Sequence, residues 1–169
     1  MLKEPVYYYA RENIIESANT LVAKLAPFCY PERIMLVGSL RRGCPLVHDI
    51  DIVLSPLPGK LQMQLDISAA IGECWQWVKG KSKLVTGRYC GIPVDLYFAT
   101  EQQWWTLVVI RTGSKEHNIK LCLQAHRHGV RLHADGSGIQ DQRGEYYTPK
   151  SEEDLFAVLD LPYVEPKDR

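Results

Sequence analysis

The chain contains no C-x-x-C pair, and its five cysteines stand singly at 29, 44, 74, 90 and 122. That spacing excludes a zinc site built from cysteines, argues against a disulfide framework and suits a reducing compartment. Long apolar runs are missing too: nothing approaches the roughly 18 uninterrupted apolar residues that a membrane-spanning helix needs. The opening MLKEPVYYYARE has no apolar core followed by a small-residue cleavage site, so no secretory signal is expected. Neither sign of charge is in excess, because 20 basic and 20 acidic side chains cancel. A protein that holds duplex DNA by backbone neutralisation alone is usually basic overall. Repeats, low-complexity tracts and long flexible linkers are also absent. What is present is an ordinary apolar complement: 46% of 169 residues are hydrophobic, enough to core one domain or two small lobes. Disorder as the main character is thereby excluded.

The charge is less even along the chain than in total. Between Val78 and Arg131 nine basic side chains, among them Lys79, Lys81, Lys83, Arg88 and Lys120, face three acidic ones, Asp95, Glu101 and Glu116. Two readings are open: a solvated mixed-charge surface, or an anion-binding middle offset by the acidic tail around Glu152, Glu153 and Asp154. Apolar spacing predicts a first helix over Tyr8 to Leu25, stopped by Pro27. Strands are expected over Arg33 to Val37, Asp49 to Leu54, Lys83 to Tyr89 and Ile92 to Phe98, the last two joined at Cys90-Gly91. Leu61 to Val78 reads as a second helix. Glu101 to Ile110, Lys115 to His128 and Ser151 to Leu159 read as helices, with short strands between Val130 and Tyr147. A lobe boundary near Thr112-Gly113 separates a mixed α/β part from an α+β part.

Three features in order are hard to explain by folding alone. Gly38-Ser39-Leu40-Arg41-Arg42-Gly43 lies where a strand ends and a helix begins. Glycine there allows close backbone approach, and a serine hydroxyl and guanidinium supply donors for phosphate oxygens. Next comes Asp49-x-Asp51, whose period-two spacing turns both carboxylates to one face. Two such charges repel unless compensated, and a hard divalent cation is the natural compensation. Third, Asp95 interrupts the apolar strand Ile92–Phe98, where a buried acid needs a partner. Each feature alone is common; a basic turn followed by the carboxylate pair and a third strand acid is not.

GSLRRG followed by Asp49-Ile50-Asp51 resembles the nucleotidyltransferase motif of the family X DNA polymerases, the group that includes DNA polymerase beta. The resemblance continues through Asp95, through Thr112-Gly113-Ser114 with Asn118, and into Ser151–Phe156 and Tyr163 with Glu165–Arg169. It implies an α+β fold: a nucleotidyltransferase palm over residues 1–111, a mixed sheet with helices on one face, then a small α+β closing lobe over 112–169. It implies a DNA polymerase of the repair type, adding dNMP from dNTP to a primer 3′-hydroxyl at short gaps. Asp49, Asp51 and Asp95 would hold two Mg²⁺, with Mn²⁺ as a substitute. Gly38, Ser39 and Arg42 would bind the triphosphate. Thr112, Gly113 and Ser114 would lie against the sugar, with a non-proline cis peptide between the last two, and Asn118 would meet the base. Lys79, Lys81, Lys83, Arg88 and Lys120 are the candidates for nucleic-acid contact. The resemblance further implies a minimal, monomeric form without lyase and DNA-binding N-terminal lobes, soluble in the cytoplasm or nucleoid, with primer or gapped DNA as partner and no membrane.

Departures are equally specific. Ile110 and Arg111 replace an aromatic pair or Gly-aromatic pair before Thr-Gly-Ser, Cys122 stands where an arginine reads the minor groove, and Val47-His48 replace small residues. Looser sugar selection and weaker base-pair checking are expected. His126, His128 and His133 read as surface imidazoles rather than zinc ligands. Trp75, Trp77, Trp104 and Trp105 read as core and rim of helices rather than base-stacking platforms. Cys44 has no expected catalytic role, and the run Tyr7-Tyr8-Tyr9 has no functional account. Nucleotidyl transfer to RNA, a small molecule or a protein, and a non-catalytic nucleic-acid-binding module, remain the competing readings.

Overall fold

The computed structural model describes residues 7–169. After the short strand β1 (Tyr9–Ala10), helix α1 (Arg11–Leu25) buries Ile14, Ala18, Leu21 and Leu25, one stripe at helical spacing. Each such side chain contributes about 1.5–3 kcal/mol on full burial. Pro27 sits in a tight turn, Ala26–Phe28, that ends the helix. Strand β2 (Cys29–Leu36) leads into the four-residue helix α2 (Gly38–Arg41), and β3 (Leu46–Val47) pairs back onto β1. Then follow β4 (Ile50–Pro56), α3 (Gln64–Ile71), β5 (Trp75–Lys81), β6 (Leu84–Tyr89) and β7 (Ile92–Phe98).

These strands form one sheet in the order β2-β4-β7-β6-β5. Only β4 and β7 run parallel, and their register sets Asp51 beside Asp95, Ile52 beside Leu96 and Val53 beside Tyr97. Ile52, Leu54 and Leu96 pack under α1 and α3. Val53 points the other way, into a smaller cluster with Val37, Trp104 and Val108. Helix α4 (Trp104–Thr112) supplies Val108 to that cluster and Val109 to a third one. The third cluster joins Leu121 and Ala125 of α5 (Lys115–Arg127), Leu132 and Ile139 of the hairpin strands β8 (Arg131–Leu132) and β9 (Ile139–Gln140), and Leu155 and Phe156 of α6 (Glu152–Val158). Strand β10 (Tyr146–Tyr147) completes the small three-stranded sheet. Helix α4 therefore belongs to both halves of the core. The chain is α+β, as its pattern of elements indicates.

One element differs from the sequence reading. The helix expected over Leu61 to Val78 covers only Gln64–Ile71, and Trp75–Lys81 is the edge strand of the main sheet. Gly72 at φ 89° ends the helix. Beyond it, Trp75-Gln76-Trp77-Val78 alternates at period two, and both tryptophans face inward: Trp75 is buried and Trp77 half-buried. The apolar spacing satisfied both templates, and strand pairing with β6 decided between them. Among the described residues no helix is long and apolar enough to cross a membrane.

Candidate active site

The start of β4 and the turn after β2 meet at Gly38. Its backbone is left-handed, φ 64°, and a Cβ there would lie 2.1 Å from Asp51 Oδ2. Only glycine lets the turn approach the carboxylate this closely. The Val37 amide donates to the Asp51 carbonyl at 2.9 Å, which pins the turn against β4. Asp49 directly precedes the strand, and its Oδ2 is 2.9 Å from His48 Nε2, while its Oδ1 is buried without a partner. Asp95, on β7, accepts from Thr86 Oγ1 at 2.6 Å and from the Tyr97 hydroxyl at 3.2 Å.

The electrostatics follow from this crowding. Burial, then the neighbouring Asp49 and Asp95 charges, push the Asp51 carboxyl up to about 7, against a smaller pull from Tyr97 and Arg111. Asp49 is raised as well, by burial first and by Asp95, with His48 and Arg42 opposing. Burial and the Asp51 and Asp95 charges raise Tyr97 in turn, so its phenol remains a donor. Arg111 lies over the Tyr97 ring at 4.3 Å and donates to the Asp135 carbonyl at 3.3 Å.

A cavity of about 650 Å³ opens beside these groups, lined by Arg42, Asp51, Tyr97, Arg111, Ser114 and Asn118 among others. Arg42 donates to the Thr112 carbonyl, and Arg41 donates to Thr112 Oγ1 at 2.8 Å. The Gly113–Ser114 peptide is cis, and Ser114 Oγ caps α5 by accepting from the His117 amide. Asn118 Nδ2 donates to the Ile110 carbonyl at 2.8 Å. Ser39 Oγ, Asp49 Oδ1, Arg111 Nε and Asn118 Oδ1 are buried in or beside this region with no hydrogen-bond partner, a costly condition that a polar ligand would relieve. A larger cleft of about 1070 Å³ lies at the far end of the sheet, bordered by Tyr30, Ser55, Lys81, Lys83 and Phe98. It contains none of the carboxylates, so chemistry rather than size marks the smaller cavity.

Asp49, Asp51 and Asp95 thus share one region, as do Gly38, Ser39, Arg42, Thr112, Gly113, Ser114 and Asn118. Among the described residues no three carboxylate, histidine or cysteine side chains are placed as a set that could hold a metal ion. Asp49 is turned to His48, and Asp95 to Thr86 and Tyr97. The donor chemistry nevertheless fits a hard divalent cation, because buried carboxylates repel one another and one oxygen lacks any partner. Lys79, Lys81 and Lys83 lie exposed on the β5–β6 hairpin, whereas Lys120 is exposed on α5 and Arg88 reaches the Gly91 carbonyl at 3.2 Å. Basic side chains are therefore spread over separate elements rather than gathered in one patch.

Four contributors escape a reading of the sequence. Thr86 and Tyr97 reach Asp95 only through the register of β6 and β7. Glu152 and Arg169 hold Arg41: Glu152 accepts from Arg41 Nη1 and Nη2 at 2.7 and 2.8 Å, and from Arg169 at 3.1 and 3.3 Å. Glu152 and Arg169 lie within the C-terminal segments that carry the resemblance, but their contacts with Arg41, like that of Thr86 with Asp95, arise only in the folded chain.

The site thus sets three carboxylates near the Gly38–Arg42 turn of an α+β chain, beside the cavity lined by Arg42 and Asn118. Residues 107–169 match the family described as DNA polymerase beta thumb. Over 153 residues, 90% of the chain, it is 29% identical to the DNA polymerase/3′-5′ exonuclease PolX of Bacillus subtilis (strain 168). The chain spans 27% of the length of that relative. The chain is thus similar to a DNA polymerase beta thumb over its C-terminal part and to a PolX protein over most of its length.

Proposed function

We propose that this chain is a metal-dependent DNA nucleotidyltransferase that joins dNMP from dNTP to a primer 3′-hydroxyl, in short-gap synthesis of the repair type. The observation that carries this reading is the collection of unpartnered buried polar atoms beside three like-charged carboxylates and one cavity. In this reading residues 1–111 form the palm and 112–169 the lobe that closes over the nucleotide. Asp49, Asp51 and Asp95 would hold two Mg²⁺, or Mn²⁺ in their place. Such ions, when bound, neutralise charge on the attacking and leaving oxygens of an in-line displacement. The 3′-oxygen attacks the α-phosphorus, the α–β phosphoanhydride bond breaks so that pyrophosphate departs, and the hydroxyl proton passes to solvent water.

The chain's own residues do the positioning. Ser39 Oγ and Arg42 bind the triphosphate, and Gly38 leaves the space that lets it approach Asp51. Thr86 and Tyr97 orient Asp95 by donating to both its oxygens. Gly113 and Ser114 flank the sugar and Asn118 meets the base edge. Arg111 and Ile110 line the pocket where an aromatic wall would select against ribose, and Cys122 cannot donate as an arginine does. Ribonucleotides and mismatches are therefore rejected weakly.

Primer extension on gapped, open-template and template-free DNA, with dNTP and NTP in parallel, tests the reading. Addition to DNA primers is expected, and Asp51→Asn should lower it at least about 100-fold, roughly 3 kcal/mol of transition-state stabilisation. No addition to any DNA primer by folded protein overturns the assignment. The balanced overall charge favours the competing acceptors that are not polyanions, a small molecule or a protein, so primer-free and RNA-primer reactions belong in the same assay. Strong rejection of NTPs would mean that another part of the chain selects the sugar.

A further inference from the structure

Cys74 and Cys90 stand opposite each other at the end of the β5–β6 ladder. The register pairs Trp75 with Tyr89, so one step outward the two cysteines face one another. The Cys90 amide donates to the Cys74 carbonyl at 2.9 Å, which continues the ladder to this pair. Directly opposed antiparallel residues have Cα atoms about 4.5–5.5 Å apart and side chains on the same face. A disulfide spans roughly 4.4–6.8 Å between Cα atoms, a range that includes the spacing of the adjoining Trp75–Tyr89 pair. Both side chains are exposed, whereas Cys29 is buried and Cys44 and Cys122 are half-buried.

Two further observations single out this pair. Cys90 occupies the first central position of the Cys90-Gly91 turn between β6 and β7, at φ 50°. A left-handed backbone is unfavourable for a residue with a side chain, and asparagine or glycine usually fills that place. An exposed cysteine there has no packing to offset the cost. Lys24 Nζ donates to the Ile71 carbonyl at 2.7 Å, and it would lie 3.6 Å from a Cβ on Gly72. A cation is thus held two residues before Cys74. The Cys90 thiol is raised above its ordinary value, chiefly by hydrogen bonding with Cys74.

We infer that Cys74 and Cys90 are a reversible redox couple that closes to an intramolecular disulfide. The oxidant is a low-molecular-weight disulfide of the glutathione class. One cysteine thiolate attacks it, its S–S bond breaks, and one small thiol leaves. The second cysteine then attacks the protein sulfur of the mixed disulfide and expels the other small thiol. Two protein thiols and one small disulfide thereby become one protein disulfide and two small thiols. The bridge encloses the hairpin that carries Lys79, Lys81 and Lys83 and ties it to the turn entering β7, the strand of Asp95. Oxidation should slow opening of the hairpin and leave the other three cysteines free.

The full chain, equilibrated with graded ratios of oxidised to reduced glutathione, alkylated and digested, gives the test by mass spectrometry. The expected product is lighter by two hydrogens, contains a Cys74–Cys90 linked peptide, reverts with dithiothreitol and melts several degrees higher. Hydrogen exchange over residues 75–89 should slow on oxidation. Cys74→Ser and Cys90→Ser should each leave a persistent glutathione adduct on the remaining cysteine instead of a bridge. A stable glutathione adduct on the unaltered chain, a bridge to another cysteine, or cross-linking only between chains overturns the inference. So does the absence of any oxidation.

Discussion

At Gly38 a missing side chain matters as much as the carboxylates beside it. Its left-handed backbone and the position of Asp51 Oδ2, with which an added Cβ would collide, both exclude a side chain. Gly38→Ala should therefore cost about 1–3 kcal/mol of stability and displace Asp51. Its melting temperature should fall, and primer extension should fall further than that loss of folded protein explains; unchanged activity would mean that Asp51 needs no fixed position. At this scale the sequence was informative where chemistry repeats at strand period. Asp49 and Asp51 could be seen to share a face, and Asp95 stood out in an apolar run. Thr86 and Tyr97 could not be assigned, because their hydrogen bonds to Asp95 depend on which residues the sheet register sets side by side.

Between elements, one buried carboxylate connects α2, the end of α4, α6 and the last residues. Glu152 receives two guanidinium groups, and the Glu152 and Arg169 side chains are only 5% and 0% exposed. Tyr163 donates to the same carboxylate at 3.2 Å. Burial pushes the Glu152 carboxyl up, but hydrogen bonds and charge from Arg41 and Arg169 outweigh it and hold it below its ordinary 4.5. A carboxylate lowered in the folded state stabilises fully above its unfolded value and loses that contribution as pH falls through the folded value. Glu152→Gln strands two buried cations and should cost about 3 kcal/mol near neutral pH. Urea midpoints of the variant and the unaltered chain should converge as pH drops below 4.5. A constant gap across that range would show that charge plays no part. Elements themselves were largely legible, since helical spacing marked α1, and the helices expected over Lys115 to His128 and Ser151 to Leu159 lie at α5 and α6. The tryptophans after Gly72 were not, because short apolar runs fit helix and strand alike until a neighbouring strand is present.

Over the whole molecule the absence of net charge limits any grip on nucleic acid. With the exposed lysines on the hairpin and Lys120 on a separate helix, only a few phosphates can be neutralised at once. The logarithm of DNA affinity should fall with the logarithm of salt at a slope of about −3 to −5, near −0.9 per phosphate contacted. Replacing Lys79, Lys81 and Lys83 with glutamine should flatten that slope by up to about 2.7. An unchanged slope would place the contacts elsewhere. While the α+β class came with the family resemblance, periodicity and the order of motifs determined the mixture of helices and strands, the helical stripe of α1 and the placing of a glycine turn just before Asp49 and Asp51. These are local properties, set within a few residues by steric and hydrophobic pattern. Only the tertiary structure decided the partners of Asp95, the clamp of Arg41 by Glu152 and Arg169, and the meeting of Cys74 with Cys90. Each of those joins residues distant along the chain, and strand register or helix packing, which no single segment specifies, brings them together.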